Sequence, residues 1–278
     1  MASPQLRVSR PGLNQVELRR HLTTQSDRLW TELHVLEITG STNLDVSAAA
    51  AAGAAEGLVV AAEAQHAGRG RHGREWVSPP RAGLTFSVLL RPTVPRRCWG
   101  WLPLLAGLAL RNAVTRRWPI AASLKWPNDL LLGQPPRKSA GILAAMVPGP
   151  APAVVLGMGL NITNGADELP RTDATSVSLV TGQVPDRDEL LMSVLSELRS
   201  LYRRWQAAGG DVESTGIRDQ YRGCCDTLGR QVRATLPTSE VLGEAVDIDA
   251  DGQLLLATSD GMVKLAAADV TSVRRSTA

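Results

Sequence analysis

A single glycine- and arginine-rich segment, GRGRHGREW at residues 68–76, limits the folds open to this chain more than any other feature. It matches the G-x-G-x-x-G spacing of a dinucleotide-binding turn, which requires a helix directly after the glycines. The sequence VSPP follows instead, and the flanking runs at 58–65 and 84–92 are apolar and strand-like. The chain is therefore not a dinucleotide-binding parallel sheet, and the segment is predicted to be a loop between two strands.

This segment, called the arginine loop below, is predicted to bind an anion. Arg69, Arg71 and Arg74 carry positive charge, the glycines leave backbone amides accessible, and Trp76 offers a flat face for a base. No HRD or DFG triplet supports a protein-kinase loop. The motif occurs once, unlike the repeated segments of RGG-type nucleic-acid binders. We expect the loop to be mobile when empty and to close around a phosphate.

Charge is distributed unevenly along the chain. Residues 69–138 contain 13 lysines and arginines against two acids, whereas the segment from Gly223 onward contains five basic and eight acidic residues. A long positive stretch indicates an anionic partner, either a nucleic acid or a phosphate-bearing small molecule. A solvated basic face is the alternative interpretation.

Composition places the chain among ordinary folded proteins of the cytoplasm. It has 278 residues, 44% hydrophobic and 21% charged, with a net charge of +3. The apolar run at 99–110 is too short to cross a bilayer, and the first residues lack the apolar core of a secretory signal. Three cysteines, two of them adjacent, suit neither a disulfide framework nor a zinc site, and the four histidines show no metal-binding spacing.

Periodicity and turn residues predict an α+β fold. A mobile start precedes a helix at 14–36, and an alanine-rich helix at 46–56 has Ser41 or Thr42 as its N-cap and Gly57 as its stop. Further predicted helices lie at 99–118, 186–205 and 214–222. Predicted strands lie at 58–65, 84–92, on both sides of a Pro127–Asn128 turn, at 138–146 and at 153–162. After Cys225, short alternating runs with Asp-Gly turns at 251–252 and 260–261 predict a small, barrel-like all-β module.

Two further motifs carry chemistry. The segments KWPND at 125–129 and KSAGIL at 138–143 each contain one of only three lysines among 30 basic residues. Lysines that persist in such an arginine-rich chain are candidates for positions that need an ammonium group. Lys138 and Asp129 are the parts of a nucleotidyl-transfer site, in which the ammonium neutralises a phosphate and the carboxylate binds Mg²⁺. An exposed hairpin with one charge on each strand is the alternative.

The segment GMGLN at 157–161 has two positions without a Cβ atom. There a ligand or another backbone can approach the strand closely, or the glycines simply accommodate packing.

Taken in order, these motifs resemble those of biotin–protein ligases, also called biotin–acetyl-CoA-carboxylase ligases. The resemblance extends from about Thr39 to the C-terminus and is carried by GSTN at 40–43, GRGRHGREW at 68–76, KWPND at 125–129, KSAGIL at 138–143 and GMGLN at 157–161. TFSVLLRP at 85–92 and the terminal β-module fit as well.

The resemblance implies a mixed-sheet catalytic domain of the biotin/lipoate ligase type, similar to class II synthetases, followed by an SH3-like barrel. The implied boundaries are 1–38 for an N-terminal extension and helix belonging to the catalytic domain, 39–224 for the rest of that domain and 225–278 for the barrel. The N-terminal stretch lacks the winged helix-turn-helix of relatives that also act as repressors, so the monofunctional type is expected.

The resemblance also implies a two-step reaction. Biotin and ATP form biotinyl-5′-AMP, and biotin is then transferred to a lysine of the carrier domain of acyl-CoA or pyruvate carboxylases. Biotin, ATP and this carrier domain are the implied partners, Mg²⁺ is the implied metal, and neither DNA nor a membrane is expected. A monomer or a weak homodimer is expected.

The resemblance assigns site residues as follows. The biotin-binding residues are Ser41, Thr42, Asn43, Gln65, Gly68, Arg69, Arg71, Lys138 and Gly141. The ATP and adenylate residues are Arg69, Arg71, Arg74, Trp76, Lys138 and Asn161. The catalytic residues are Lys138, Arg71, Arg69 and Asp129, with Asp129 also on the side of the metal.

Two segments of the sequence depart from the family pattern, and three other functions are alternatives. His72 replaces a cation or an apolar residue, and Ala144 and Ala145 stand where a glutamate is common. A lipoate–protein ligase would share the fold, but its glycine-rich segment differs. A DNA-binding regulator is supported by the basic stretch alone, and a sensor without turnover is disfavoured by the pairing of Lys138 with Asp129.

Overall fold

A computed structural model describes residues 10–24, 28–236, 239–266 and 268–272. Its larger sheet has seven strands in the order β1-β2-β3-β7-β6-β5-β4. These strands are β1 Glu32–Leu36, β2 Leu58–Ala62, β3 Gly83–Leu90, β4 Ala122–Lys125, β5 Asp129–Leu132, β6 Arg137–Val147 and β7 Ala153–Asn161. The β1–β2 pair is parallel and the other pairs are antiparallel, so the predicted mixed sheet is confirmed.

Six α-helices accompany the two sheets within the described residues. They are α1 Gln15–Thr24, α2 Thr42–Ala51, α3 Trp101–Arg117, α4 Val177–Thr181, α5 Arg187–Ala207 and α6 Ile217–Arg222. Helix α5 begins as predicted, because the Asp186 side chain accepts a hydrogen bond from the Glu189 amide. Helix α3 is buried along most of its length, which agrees with its nearly uninterrupted apolar sequence. Helix α4 has no counterpart among the predicted elements.

The predicted helix at 14–36 is wrong in its second half. Residues 32–36 form β1, which pairs in parallel with β2 from Glu32 opposite Leu58 to Leu36 opposite Ala62. Sheet pairing, with Leu33 buried beneath it, outweighs the modest helical periodicity of this segment. The predicted mobility of the first nine residues lies outside the described residues.

The alanine-rich helix also differs from its prediction. Helix α2 starts at Thr42 with Ser41 as its N-cap and ends at Ala51, well before Gly57. Gly57 has a φ of +97°, and a Cβ atom there would lie 1.9 Å from the Leu29 carbonyl oxygen. The glycine therefore permits a close backbone approach and does not end the helix.

The C-terminal strands form a second, all-antiparallel sheet in the order β11-β10-β9-β8-β12. They are β8 Gln231–Thr235, β9 Glu240–Ile248, β10 Leu254–Thr258, β11 Gly261–Leu265 and β12 Asp269–Ser272. Gly252 and Gly261 have positive φ angles at the two predicted Asp-Gly turns. Among the described residues β11 does not pair with β12, so the predicted all-β module is confirmed as a five-stranded antiparallel sheet, and its closure into a barrel stays a prediction.

The C-terminal sheet packs directly on the first part of the molecule. The Trp101 and Trp126 indoles donate hydrogen bonds to the carbonyl oxygens of Ala250 and Gly252, at 2.9 and 3.1 Å. Most buried apolar side chains of the larger sheet share one continuous core with those of the C-terminal sheet, and those that pack with α2 form a second, smaller cluster. In this arrangement the start of β12 lies beside the arginine loop.

Within the part of the chain that the structure describes, no helix combines the length and the apolar character needed to cross a bilayer.

Candidate active site

One cavity of about 570 Å³ collects the motifs that the sequence analysis singled out. The arginine loop lies between β2 and β3, KWPND forms the turn between β4 and β5, KSAGIL lies in β6 and GMGLN ends β7. Adjacent strands β7, β6 and β5 bring the last three motifs together, although up to 36 positions separate them in the sequence. The cavity lining includes Ser41, Thr42, Asn43, Gln65, Arg69, Arg71, Arg74, Trp76, Asp129, Lys138, Gly141 and Asn161.

Gly68 is the one residue of the predicted site that does not line the cavity. A Cβ atom at this position would lie 2.4 Å from the Trp76 carbonyl oxygen and 2.8 Å from Gln65 Nε2. Gly68 therefore lets the two ends of the arginine loop close on each other, and its predicted contact with biotin stays a prediction.

A hydrogen-bonded chain fixes the polar wall at the start of α2. Gln65 Oε1 accepts from the Thr42 amide at 2.8 Å and from the Thr42 hydroxyl at 3.2 Å. The Ser87 hydroxyl donates to Asn43 Oδ1 at 2.6 Å and lies 2.7 Å from Thr42 Oγ1. Asn43 Nδ2 donates in turn to the Leu143 carbonyl at 3.1 Å. These bonds restrain the side chains before any ligand arrives, which reduces the entropy cost of binding.

Glycines form a flat floor beneath Trp76. Gly141 of β6 lies opposite Gly159 of β7. A Cβ atom on Gly159 would lie 2.3 Å from Trp76 Cε2, and one on Gly141 would lie 3.3 Å from Trp76 Cζ3. The close approach to the GMGLN strand that the sequence allows is therefore observed, and the group that approaches is the Trp76 side chain. The Trp76 indole nitrogen is buried with no hydrogen-bond partner among the described residues, so an acceptor supplied by a ligand can satisfy it.

Lys138 and Asp129 form the ion pair at the centre of the cavity. Lys138 Nζ donates to Asp129 Oδ1 at 2.6 Å, and the two side chains are 31% and 16% exposed. The pairing follows from the register of β5 with β6, which places Asp129 opposite Gly141, a residue with no side chain to separate the charges. Both side chains are partly buried and line the cavity, which favours a site over the alternative of an exposed hairpin with one charge on each strand.

The Arg71 guanidinium bridges the arginine loop, the KWPND turn and the C-terminal sheet. It donates to Asn128 Oδ1 at 3.3 Å and to the Ala268 carbonyl at 3.2 Å. Burial lowers the pKa of Arg71, and the carboxylates of Asp269 and Asp129 act in the opposite direction. The structure thus places a partly desolvated cation in the cavity wall, within the electrostatic influence of two carboxylates.

The balance of charge in the cavity favours an anionic ligand. Six cationic side chains line it, namely Arg69, Arg71, Arg74, Lys125, Lys138 and Arg171. Four acidic side chains line it, namely Glu75, Asp129, Asp173 and Asp269. The excess of cations agrees with the positive stretch at 69–138 and supports the anionic partner over a merely solvated face.

Asn161 and Trp76 can together receive a planar heterocycle. Asn161 is buried, and its Nδ2 atom donates to the Thr175 carbonyl at 3.0 Å. Its side-chain oxygen is left to accept from an exocyclic amino group, while the Trp76 ring lies on the same glycine floor.

Several cavity residues were not assigned by the sequence. Asn128 could have been found from its place in KWPND, and Lys125 from the rarity of lysine. Arg171 and Asp173 form a bidentate pair, at 2.7 and 2.6 Å, on the segment that follows β7. Asp269 comes from the C-terminal sheet, and no local pattern marks it. In contrast, Ala144 and Ala145 do not line the cavity, so the missing glutamate is not a loss from its wall.

Comparisons with known proteins identify the same family as the five sequence motifs. The sequence model of the biotin/lipoate A/B protein ligase family matches residues 37–161, and that of the biotin protein ligase C-terminal domain matches residues 227–271. A biotin–[acetyl-CoA-carboxylase] ligase of Mycobacterium tuberculosis is 40% identical over 271 residues, which are 95% of this chain and 97% of the relative. The chain belongs to the biotin protein ligase family. The recognition drawn from the five motifs is confirmed.

Solved structures of biotin protein ligases share the fold. The Aquifex aeolicus enzyme in complex with biotin and ATP is 26% identical with a TM-score of 0.74, over 88% of this chain and all of that one. The Leishmania major enzyme in complex with biotinyl-5-AMP is 25% identical with a TM-score of 0.60, over 85% of this chain and 99% of that one. On the N-terminal side, the described residues before α2 form one helix and one strand rather than a helix-turn-helix.

Proposed function

We propose that this protein is an ATP-dependent ligase that forms biotinyl-5′-AMP and transfers biotin to a lysine of the carrier domain of biotin-dependent carboxylases. The observation that carries the proposal is the meeting of all five family motifs around one cationic cavity with the Lys138–Asp129 pair at its centre. The 40% identity to a biotin–[acetyl-CoA-carboxylase] ligase supports the same reaction.

The first step joins two negatively charged reactants. A carboxylate oxygen of biotin attacks the α-phosphorus of ATP, the bond from that phosphorus to the bridging oxygen breaks, and pyrophosphate leaves. The reactants repel each other unless cations lie between them. Lys138 and Arg71 line the cavity where they can contact both groups, and Arg69 and Arg74 add charge for the phosphates.

We assign biotin and adenine to two different groups of residues that line the cavity. The polar wall of Ser41, Thr42, Asn43 and Gln65 is suited to the ureido ring of biotin, because it presents fixed donors and acceptors. Asn161 and Trp76 are suited to adenine. Gly141 leaves room for the chain between the two groups.

The residues present fit a Mg²⁺ ion that takes most of its ligands from ATP. The described residues contain no cluster of three or more potential metal ligands, and Asp129 is the carboxylate nearest the ammonium of Lys138. Mg²⁺ is commonly held by one or two carboxylates together with substrate phosphates. Asp129 would hold the ion, which would supply additional positive charge at the phosphates.

In the second step, the ε-amine of the carrier lysine attacks the carbonyl carbon of the mixed anhydride. The acyl–oxygen bond breaks, AMP leaves, and the amine loses a proton, for which Asp129 is the proposed acceptor. Closure of the arginine loop would exclude water, which otherwise hydrolyses the anhydride.

The proposal includes the expected organisation of the molecule. Residues 1–224 form the catalytic part and 225–278 a C-terminal domain, and the protein acts as a monomer or weak homodimer in the cytoplasm. The three described cysteines are buried free thiols, which agrees with a reducing compartment.

Exchange of labelled pyrophosphate into ATP tests the proposal, with biotin, lipoate and octanoate supplied separately. We expect exchange with biotin alone, followed by biotinylation of one lysine of a carrier domain, detected by mass spectrometry. Exchange with lipoate but not biotin would make the protein a lipoate ligase. Tight, salt-sensitive binding to duplex DNA without exchange would favour the regulator.

A further inference from the structure

A carboxylate of the C-terminal sheet contacts the arginine loop. Asp269, the first residue of β12, forms an ion pair with Arg74 and lies 3.6 Å from His72 Nε2. Next to it, the Ala268 carbonyl accepts from Arg71 at 3.2 Å. Arg71, His72 and Arg74 of the loop therefore face a two-residue segment from the far end of the chain.

Asp269 belongs to the cavity as well as to the interface between the sheets. Ala268, Asp269, Val270 and Thr271 all line the cavity, and the Asp269 side chain is 26% exposed. Its position is fixed by antiparallel pairing with Thr235 of β8. The carboxylate thus sits on a rigid strand and reaches the one segment of the site that sequence analysis predicts to be mobile.

Carboxylate and phosphate compete for the same kind of donor. Both accept the paired N–H groups of an arginine fork, and phosphate carries more charge. One terminal nitrogen of Arg74, Nη2, donates to Asp269 Oδ2. A phosphate group that used the same donors would have to replace this carboxylate.

The charge distribution of the chain points the same way. The segment from Gly223 onward has a net charge of −3, and the stretch at 69–138 is strongly positive. The positive stretch predicts an external anionic partner. In the folded protein, one of its anionic partners is the C-terminal sheet itself.

We propose that Asp269 is a positioning residue that occupies a phosphate subsite of the arginine loop until ATP displaces it. The carboxylate restrains the motion of the otherwise mobile loop, and its release is part of the cost of nucleotide binding. Apparent affinity falls in proportion to the fraction of molecules in which the loop is free, so loss of the carboxylate strengthens binding. The proposal refines the ligase function above and rests on it for the identity of ATP.

The test compares Asp269→Asn with a matched control on the same sheet. Asp260→Asn removes the same charge at the exposed β10–β11 turn, away from the cavity. For Asp269→Asn, we expect the KM for ATP in biotin-dependent exchange to fall about three- to fivefold, because this factor corresponds to the free energy that a partly exposed ion pair contributes. The change in kcat should be smaller. Amide hydrogen exchange at 68–76 in the empty enzyme should become faster. Asp260→Asn should match the wild type in both.

Two further measurements separate this proposal from the ligase function. Titration with inorganic pyrophosphate and hydrogen exchange on the empty protein need no turnover, so they decide the role of Asp269 even if biotin supports no exchange. Tighter pyrophosphate binding by Asp269→Asn supports the proposal. An unchanged or weaker affinity overturns it, because a purely structural contact would not compete with phosphate. If the asparagine variant does not fold, Asp269→Thr, which favours a strand, is the second neutral variant.

Discussion

At the scale of single residues, the site depends on Lys138, a lysine in a chain whose other basic residues are almost all arginines. Lys138 Nζ lies 2.6 Å from Asp129, in a space bounded by Gly141, whose added Cβ atom would be 3.6 Å from that nitrogen. A compact ammonium fits there, whereas a planar guanidinium is larger and has a fixed fork. The retention of lysine is thereby explained by space as well as by charge.

Replacement of Lys138 by alanine should abolish adenylate formation while leaving the fold intact. The loss of a preorganised cation at the reacting phosphate should lower the exchange rate by about 10²–10³-fold. Lys138→Arg should recover little of this loss. Lys264→Ala, which removes a lysine that is 62% exposed on β11, is the control and should behave as the wild type. Near-normal exchange in Lys138→Ala would contradict the proposed role.

Gly159 is the residue whose lack of a side chain the structure explains most directly. In Gly159→Ala, the new Cβ atom would lie 2.3 Å from the Trp76 indole, so the ring must move off the floor. We expect a destabilisation of about 1–3 kcal/mol and a change in tryptophan fluorescence. The measurement is thermal unfolding at neutral pH, with Gly223→Ala as the control, because its Cβ would approach only to 3.4 Å at a helix end with φ of −62°. Equal effects of the two substitutions would show that the floor tolerates a methyl group.

At the scale of elements, the segment that follows β7 is held by the N-terminal residues. Arg10 donates to the Thr163 carbonyl at 2.9 Å and forms an ion pair with Glu168. This segment also carries Arg171 and Asp173, which line the cavity. A short stretch before α1 therefore helps to position one side of the cavity.

The Arg10–Glu168 contact predicts a pH-dependent contribution to stability. The hydrogen bond from Arg10 lowers the pKa of Glu168, with burial opposing it. A depressed carboxyl pKa stabilises the fold above the unfolded-state value of about 4.3, and this stabilisation is lost as the pH falls through the folded-state pKa. Glu168→Gln should therefore lower the unfolding free energy by about 1 kcal/mol at pH 7 and by much less in acid below that range.

Thermal unfolding from pH 7 down to pH 3 measures this effect. Glu17→Gln is the control, since Glu17 forms a helical surface pair with Arg20 and is 47% exposed. It should change the unfolding free energy by only a few tenths of a kcal/mol. A difference between Glu168→Gln and the wild type that persists unchanged in acid would contradict the assignment.

At the scale of the whole molecule, the two sheets share one core. The turn between β9 and β10 accepts hydrogen bonds from Trp101 and Trp126, and a Cβ atom on Gly100 would lie 2.3 Å from the Asp251 carbonyl oxygen. Separation of the sheets would expose large apolar surfaces and leave two buried indole donors without partners. Because separation of the sheets costs free energy, we expect the C-terminal sheet and the larger sheet to unfold together.

Calorimetric unfolding should accordingly show a single transition, with a calorimetric enthalpy close to the van't Hoff enthalpy. A matched measurement on Trp126→Phe, which keeps one aromatic ring but removes the pyrrole ring and its donor to Gly252, should shift the transition down by a few degrees without splitting it. Two resolved transitions in the wild type would show that the sheets unfold independently.

Local signals explain why so much of the site could be predicted from the sequence. Each sequence signal of the site depends only on residues that are close together in the sequence. These signals are the glycine spacing, the arginines of the loop, the retained lysine and the KWPND and GMGLN motifs. Helix α5 and the two Asp-Gly turns were predictable for the same reason, because an N-cap and a positive φ depend on adjacent residues.

The sequence by itself determined the chemistry of the cavity and most of its elements, since those depend on side-chain type and short-range spacing. The tertiary structure alone decided that 32–36 forms a strand, that Gly57 accommodates the Leu29 carbonyl, and that Asp269 faces the arginine loop. Each of these depends on a partner distant in sequence, and no local pattern encodes the free energy of a contact made only when remote segments fold together.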